Sequence, residues 1–272
     1  MSLNSQYEEN GYFICKTSHA QRFAAIRKKL ISVFNEIAII HNLDTINNDA
    51  DVVDLYRSKN RELWVAAYDQ LRFSPEVAEL INDSVLLDIA KQCGIKFPSL
   101  TNSALGSSGT TIRADMPSDT DYDFELHQDF PYNQGSFNSI TIWIPFQDTD
   151  ANLGAIQVIP KSHKNGAVKN ENGIIVKQEL DKCITAPLKL GEVLVFSQFI
   201  HHKSGLNVSK DPENQIRFSA QLRYTDLADP EWAKRKYYVN IKQTEKTRNP
   251  SFETHFHANS TGCAICASKT KV

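Results

Sequence analysis

The chain has 272 residues, 41% of them hydrophobic, 23% charged and 10% aromatic, with a formal net charge of -2. This composition fits one large globular domain or two small ones and excludes a disordered or fibrous chain. The small net charge gives no electrostatic case for nucleic acid or an anionic membrane, and no apolar run is long enough to span a bilayer.

Residues 1–18 read as a short lead-in whose first ten positions are polar and lack an apolar signal core. Within it, Tyr12, Phe13 and Ile14 are the only apolar cluster and suit a short strand or docking arm. The pattern turns helical at Ser18, which is placed as an N-cap. Phe23, Ile26, Leu30, Val33, Phe34 and Ile37 then recur at three- and four-residue spacing. A second helical stretch covers 50–71, with Val53, Leu55, Leu63, Trp64 and Ala67 as its apolar positions. A third starts at Ser74-Pro75, breaks around Asn82-Asp83 and ends at Gly94. Five cysteines (Cys15, Cys93, Cys183, Cys263, Cys266) are scattered and odd in number, which suits a reducing, cytoplasmic setting better than a disulfide framework.

After Pro98 the pattern becomes one of strands. Ile140, Ile142, Ile144 and Phe146 share one face, with Thr141 and Trp143 on the other. Gly154 precedes the run Ala155 to Ile159, closed by Pro160. A turn at Gly191-Glu192 leads into Val193 to Phe196. Ile216, Phe218, Ala220, Leu222 and Tyr224 alternate with Arg217, Ser219, Gln221 and Arg223. A strand apolar on one side and polar on the other can pack outward on helices while its polar side lines a cup. Helices first and strands afterwards give an α+β class: a jelly-roll or cupin-like barrel backed by N-terminal helices. The expected organisation is a single domain over 1–272. Residues 1–97 form a mainly helical wall, 98–225 the barrel, and 226–272 a polar tail packing outside or over the mouth.

His127-Gln128-Asp129 is the stretch that points to chemistry. Side chains at i and i+2 of an extended segment project from one side, so an imidazole and a carboxylate there can reach one metal ion. A second histidine would complete a 2-His-1-carboxylate set with open positions, which suits Fe(II). His163, His201, His202, His255 and His257 are candidates. His201 and His202 end an apolar strand and face opposite ways, so only one of the pair can serve; His202 shares its side with Ser204. Arg217, on the polar side of the next strand, needs an anionic partner. That partner is either an internal Asp or Glu, or a dicarboxylate ligand matching its planar fork.

These residues together resemble the phytanoyl-CoA dioxygenase family of Fe(II)/2-oxoglutarate-dependent oxygenases. The resemblance rests on His127-Gln128-Asp129, Gly154 to Pro160 with Ser162-His163-Lys164, Gly191-Glu192, Phe196, His202-Lys203-Ser204-Gly205-Leu206-Asn207 and Arg217. It covers about 100–225 and implies a double-stranded β-helix. It implies iron held by His127, Asp129 and His202, with O₂ as oxidant and 2-oxoglutarate as co-substrate. Arg217, with help from Ser204, would bind the far carboxylate of that co-substrate, and Trp143 would line its pocket. Two features depart from the pattern: Lys161 stands where glycine is common, and 208–215 is longer than usual. The latter leaves Arg223 as an alternative to Arg217.

The resemblance implies hydroxylation of a C–H bond with release of succinate and CO₂. The loop 106–123, which contains Arg113, and the segment Phe130-Pro131-Tyr132-Asn133-Gln134 flank the first ligand pair. Arg113, Phe130, Tyr132 and Asn133 are therefore the substrate-side candidates. Their polar and aromatic mix suits a small, polar metabolite such as a sugar, an amino-acid derivative or a natural-product intermediate, with no nucleic-acid or membrane partner. A peptide hydroxylase of the same class and a cupin-type metalloprotein without 2-oxoglutarate are the competing readings. His255, His257, Cys263 and Cys266 have the residue types of a zinc site in a segment that otherwise reads as a tail.

Overall fold

The computed structural model describes residues 2–230 apart from 58–60, 72–73, 104–109, 121–123, 132 and 172. Helix α1 (Leu3–Asn10) leads into strand β1 (Tyr12–Lys16), and α2 (Ala20–Ile40) follows. Next come α3 (Asp49–Val52), which continues as a π-helical turn over Val53–Arg57, then α4 (Arg61–Leu71), α5 (Pro75–Ile81) and α6 (Ser84–Gln92). The strands are β2 (Pro98–Leu100), β3 (Asn102–Ser103), β4 (Thr110–Asp115), β5 (Asn133–Gln134), β6 (Ser139–Pro145) and β7 (Gln157–Ile159). They continue with β8 (Asn170–Glu171), β9 (Ile174–Ile175), β10 (Ile184–Thr185), β11 (Glu192–Ser197), β12 (His201–Lys203) and β13 (Arg217–Asp226).

Local chemistry sets the helix ends. Ser74 caps α5 by accepting from the Val77 amide. Asp83 caps α6 through the Val85 and Leu86 amides, which explains the break between the two helices. Two sequence expectations need correction here. The lead-in contains a helix, α1, capped by Ser2. Ser18 is not the cap of α2: the Thr17 hydroxyl accepts from the His19 amide and donates to the Gly191 carbonyl, tying the helix start to the barrel.

The larger sheet is antiparallel in the order β1-β11-β6-β13, with β2 and β4 both pairing along β13. The smaller runs β10-β7-β12. Outward-facing Ile140, Ile142, Ile144, Phe146, Val193, Val195, Phe218 and Leu222 join one buried cluster with Phe23, Leu30, Phe34, Trp64 and Leu86 of the helices. Phe34 stacks on Trp64 with centroids 4.8 Å apart. The inward side chains Trp143, Leu194 and Phe196 pack instead against Val158 of the smaller sheet and against Ile156 and Ile200, which immediately precede β7 and β12. Two sheets of this order enclosing a small interior, with helices on one outer face, are a double-stranded β-helix. Part of the stretch expected as a loop, 106–123, is strand: β4 pairs with β13 along its whole length. No helix among the described residues is long and apolar enough to cross a membrane. The tail beyond Pro230, with His255, His257, Cys263 and Cys266, lies outside the described residues.

Candidate active site

His127 and His202 meet through the main chain. Each donates its amide to the other's carbonyl, at 2.9 and 3.0 Å, forming an antiparallel bridge. Such a pair holds the two side chains next to each other on one face. The rings are 4.2 Å apart, centroid to centroid. Both are fixed from behind by a carbonyl two residues earlier: His127 Nδ1 lies 2.7 Å from the Glu125 oxygen, and His202 Nδ1 lies 3.1 Å from that of Ile200. Donation from Nδ1–H assigns the tautomer and leaves each Nε2 with a lone pair. Both Nε2 atoms lie 3.9 Å from Asp129 Oδ1. The three donor atoms lie within 4.8 Å of one another, and all three residues are buried.

Asp129 is held equally firmly. Its Oδ2 accepts from the Thr141 hydroxyl and, at 3.1 Å, from Arg223 Nε. Thr141 and Arg223 are directly opposite on β6 and β13. Burial alone would raise the Asp129 pKa; Arg223, the two imidazoles and Thr141 outweigh it and hold the carboxyl well below the usual range. Burial pushes His127 down to about 3, with His202 acting in the same direction and Asp129 opposing. Burial also lowers His202. Two neutral imidazoles and one carboxylate, oriented by backbone and side-chain partners, fit a divalent first-row metal with open positions.

Arg217 is fully buried on the same inward face of β13 as Arg223. Its Nη2 and Nε donate to Asp115 Oδ2 at 2.7 and 3.2 Å, and its Nη1 donates to the Gly154 and Gly205 carbonyls. Both glycines are needed for that approach. A Cβ on Gly154 would sit 2.9 Å from Arg217 Nη1, and one on Gly205 would sit 2.3 Å from the Ala155 oxygen. The internal acid anticipated as one partner of Arg217 is therefore Asp115. Two buried donors near this strand lack acceptors: the Ser219 hydroxyl, two residues along β13, and Trp143 Nε1, whose residue faces Gln221 across β6 and β13. Ser204 is buried just beyond β12, its amide bonded to the Phe124 carbonyl.

The other candidates are dispersed. Arg113 is buried, paired with Asp115, and lies over the Phe124 ring at 5.3 Å. Phe124 in turn touches the His127 ring, centroids 5.3 Å apart. Phe130 packs with Phe199 and Phe137 at 4.9 and 5.7 Å. Asn133 is buried, its amide bonded to the Asp129 carbonyl. Tyr132 lies outside the described residues. His201 faces away from the trio and lines an outer cavity with Val168 and Ile175. Sequence reasoning overlooked Thr141, Asp115 and Ser219. All three sit on inward strand positions, but alternation alone does not say which inward positions lie level with Asp129 or Arg217.

The family model for phytanoyl-CoA dioxygenase (PhyH) matches residues 7–214. The 1-deoxypentalenic acid 11-beta-hydroxylase of Streptomyces exfoliatus is 30% identical over 112 residues, 36% of this chain and 39% of that protein. The match thus spans about two fifths of the curated relative's length. Among solved structures, the apo form of the non-heme monooxygenase ThoJ aligns over 99% of this chain and 98% of its own, with a TM-score of 0.60 at 13% identity. EctD from S. alaskensis with 2-oxoglutarate and 5-hydroxyectoine aligns over 83% and 76%, with a TM-score of 0.54 at 18% identity. At these identities the structural likeness concerns the fold. The sequence match over most of the chain settles the family: the protein belongs to the phytanoyl-CoA dioxygenase family.

Proposed function

We propose that the protein is an Fe(II)/2-oxoglutarate-dependent dioxygenase that hydroxylates a C–H bond of a small metabolite, releasing succinate and CO₂. The carrying observation is the convergence of two carbonyl-anchored imidazoles, through their Nε2 lone pairs, on the one Asp129 oxygen that Thr141 does not occupy. His127, Asp129 and His202 would hold the iron. Bound there, iron supplies the oxidising power, with dioxygen as oxidant and the 2-oxo acid as the source of two electrons.

The chain's own residues do the rest. Arg223 and Thr141 neutralise and aim Asp129, so the carboxylate does not swing away. Arg217 would take the far carboxylate of 2-oxoglutarate, with Ser219, Ser204 and the Trp143 N–H as further donors. Two of these donors are otherwise unsatisfied inside the barrel, a costly arrangement that an incoming carboxylate relieves. The apolar packing of Leu194, Phe196 and Ile200 excludes water from the closed side.

For the substrate, the surroundings of the trio combine exposed Phe124 and Phe137 with Phe130, Phe199 and the buried Asn133. This mix favours a natural-product intermediate with an apolar body over a sugar. The curated relative, named for 11-beta-hydroxylation of 1-deoxypentalenic acid, points the same way.

Anaerobic titration with Fe(II) and 2-oxoglutarate tests the assignment. A visible charge-transfer band from the chelate is expected, and its absence in correctly folded protein overturns the reading. A metabolite panel read by succinate formation then finds the substrate.

A further inference from the structure

The inward side chains of β13 form a row that is open only in its middle. Arg217 and Ser219 are 0% exposed, and Thr225 at the far end is buried against Ser136 and Ser139. Gln221 and Arg223, between them, are half-buried. So is Thr111, which stands opposite Gln221 on β4 and shares its face. The outward neighbours Ile112, Ala220 and Leu222 are buried against the helices, so solvent reaches these three side chains from the inward side. The barrel thus opens at Thr111, Gln221 and Arg223, beside Asp129.

Arg223 sorts the polar groups at this opening. Its Nε donates to Asp129 Oδ2 at 3.1 Å, its Nη1 to the Thr111 hydroxyl at 3.3 Å and its Nη2 to Gln221 Oε1. A guanidinium has donors only, so each of these bonds consumes an acceptor. With Oε1 turned to Arg223, the Gln221 amide presents its NH₂ to the opening. With a lone pair given to Arg223, the Thr111 hydroxyl keeps its hydrogen for another partner. Neither Gln221 Nε2 nor the Thr111 hydroxyl hydrogen has an acceptor among the described residues. Asp129 offers none in their place: Oδ2 is taken by Thr141 and Arg223, and Oδ1 faces the two imidazoles.

We propose that Gln221 and Thr111, oriented by Arg223, determine substrate specificity: their free N–H and O–H groups receive a carboxylate or carbonyl oxygen of the substrate at the open side of the metal trio. The proposal rests on the oxygenase reading and adds the chemical class of the substrate, an apolar body bearing an oxygen acceptor. A polyol, whose hydroxyls need acceptors as well as donors, is poorly matched by a row of donors. Arg223 then has two tasks in one side chain. It aims the Asp129 carboxylate and sets the polarity of the substrate's entrance.

The test uses the full chain loaded with paramagnetic Mn(II) and 2-oxoglutarate under anaerobic conditions, and reads proton relaxation of three probes of one shape. Cyclohexanecarboxylate and cyclohexyl methyl ketone carry the acceptor; cyclohexylmethanol is the control. Faster relaxation than in a Zn(II)-loaded sample shows binding close to the metal. The carboxylate, the ketone or both are expected to bind about fivefold more tightly than the alcohol, the usual worth of one hydrogen bond; which of the two does so tells an acid substrate from a neutral one. Thr111→Val should weaken the preferred probe about fivefold. Gln221→Glu keeps the oxygen that Arg223 holds and replaces the donor by an acceptor, so it should abolish carboxylate and ketone binding, and it carries the test if Thr111→Val fails to fold. In both variants 2-oxoglutarate affinity, measured by calorimetry, should stay within about twofold. Equal binding of the alcohol, no binding of either acceptor probe, or unchanged binding in both variants overturns the proposal. A loss of 2-oxoglutarate affinity in Gln221→Glu as large as the loss of the probe gives these donors to the co-substrate and overturns it too. If 2-oxoglutarate does not bind the metal-loaded wild type, the oxygenase reading itself fails; if it binds and the acceptor probes do not, this inference fails alone.

Discussion

The two faces of β6, β11 and β13 belong to the same strands yet obey different rules. Outward, Ile140, Ile142, Val195, Phe218 and Leu222 merge with the helices into one apolar cluster. Nothing there depends on a particular atom meeting another; volume and apolarity suffice. Inward, Thr141, Arg217 and Arg223 each have named partners. There a single misplaced group leaves a buried charge or donor unsatisfied. The outer face carries fold stability and the inner face carries chemistry, so the two should fail separately.

Substitutions can break that separation or sharpen it. The largest effect is expected from Asp129→Ala, which removes the shared oxygen between both imidazoles and strips Arg223 of its carboxylate. Succinate-coupled turnover should fall to background; retained turnover would remove Asp129 from the metal ligands. On the outer face, Phe218→Ala should cost roughly 3–5 kcal/mol of stability, seen in urea unfolding. The 2-oxoglutarate affinity of its folded fraction should not move. Arg217→Ala is the inward counterpart, on the adjacent residue. It should raise the KM for 2-oxoglutarate about 10–100-fold, the worth of charge-assisted hydrogen bonds.

Smaller effects refine the picture. Thr141→Val keeps the shape but removes the hydroxyl from Asp129, and metal affinity should fall about tenfold with melting temperature nearly constant. The smallest is a pH effect on the metal-free protein. His127 is held at about 3 by burial, against 6.5 for a free imidazole. As pH falls below about 6.5 the unfolded chain takes up a proton that folded His127 refuses, so stability declines toward pH 3. His127→Gln should flatten that decline in denaturation midpoints measured at pH 7.5 and 5.5; an equal slope would show that His127 does not contribute.

Much of the architecture was legible because it is periodic. The 216–224 alternation showed which side of β13 meets the helices, and the 18–40 spacing showed the inner face of α2. His127 and Asp129 were legible as a pair because period two is a local property. Arg223 was not legible in its role, since gripping Asp129 depends on β13 lying beside β6 in one register. Strand β4 was hidden because Thr110 to Asp115 sits within a stretch rich in Ser, Thr and Asp, the composition of turns. What makes it a strand is pairing with β13, a tertiary fact. Asp115 was missed with it.

The reciprocal amide bonds between residues 127 and 202 have a wider consequence. The two imidazoles are stitched together by the main chain itself, so their spacing is settled when the barrel closes and does not wait for an ion. Iron scarcity would then idle the enzyme without condemning the polypeptide to degradation, and resupply would restart it without a round of refolding.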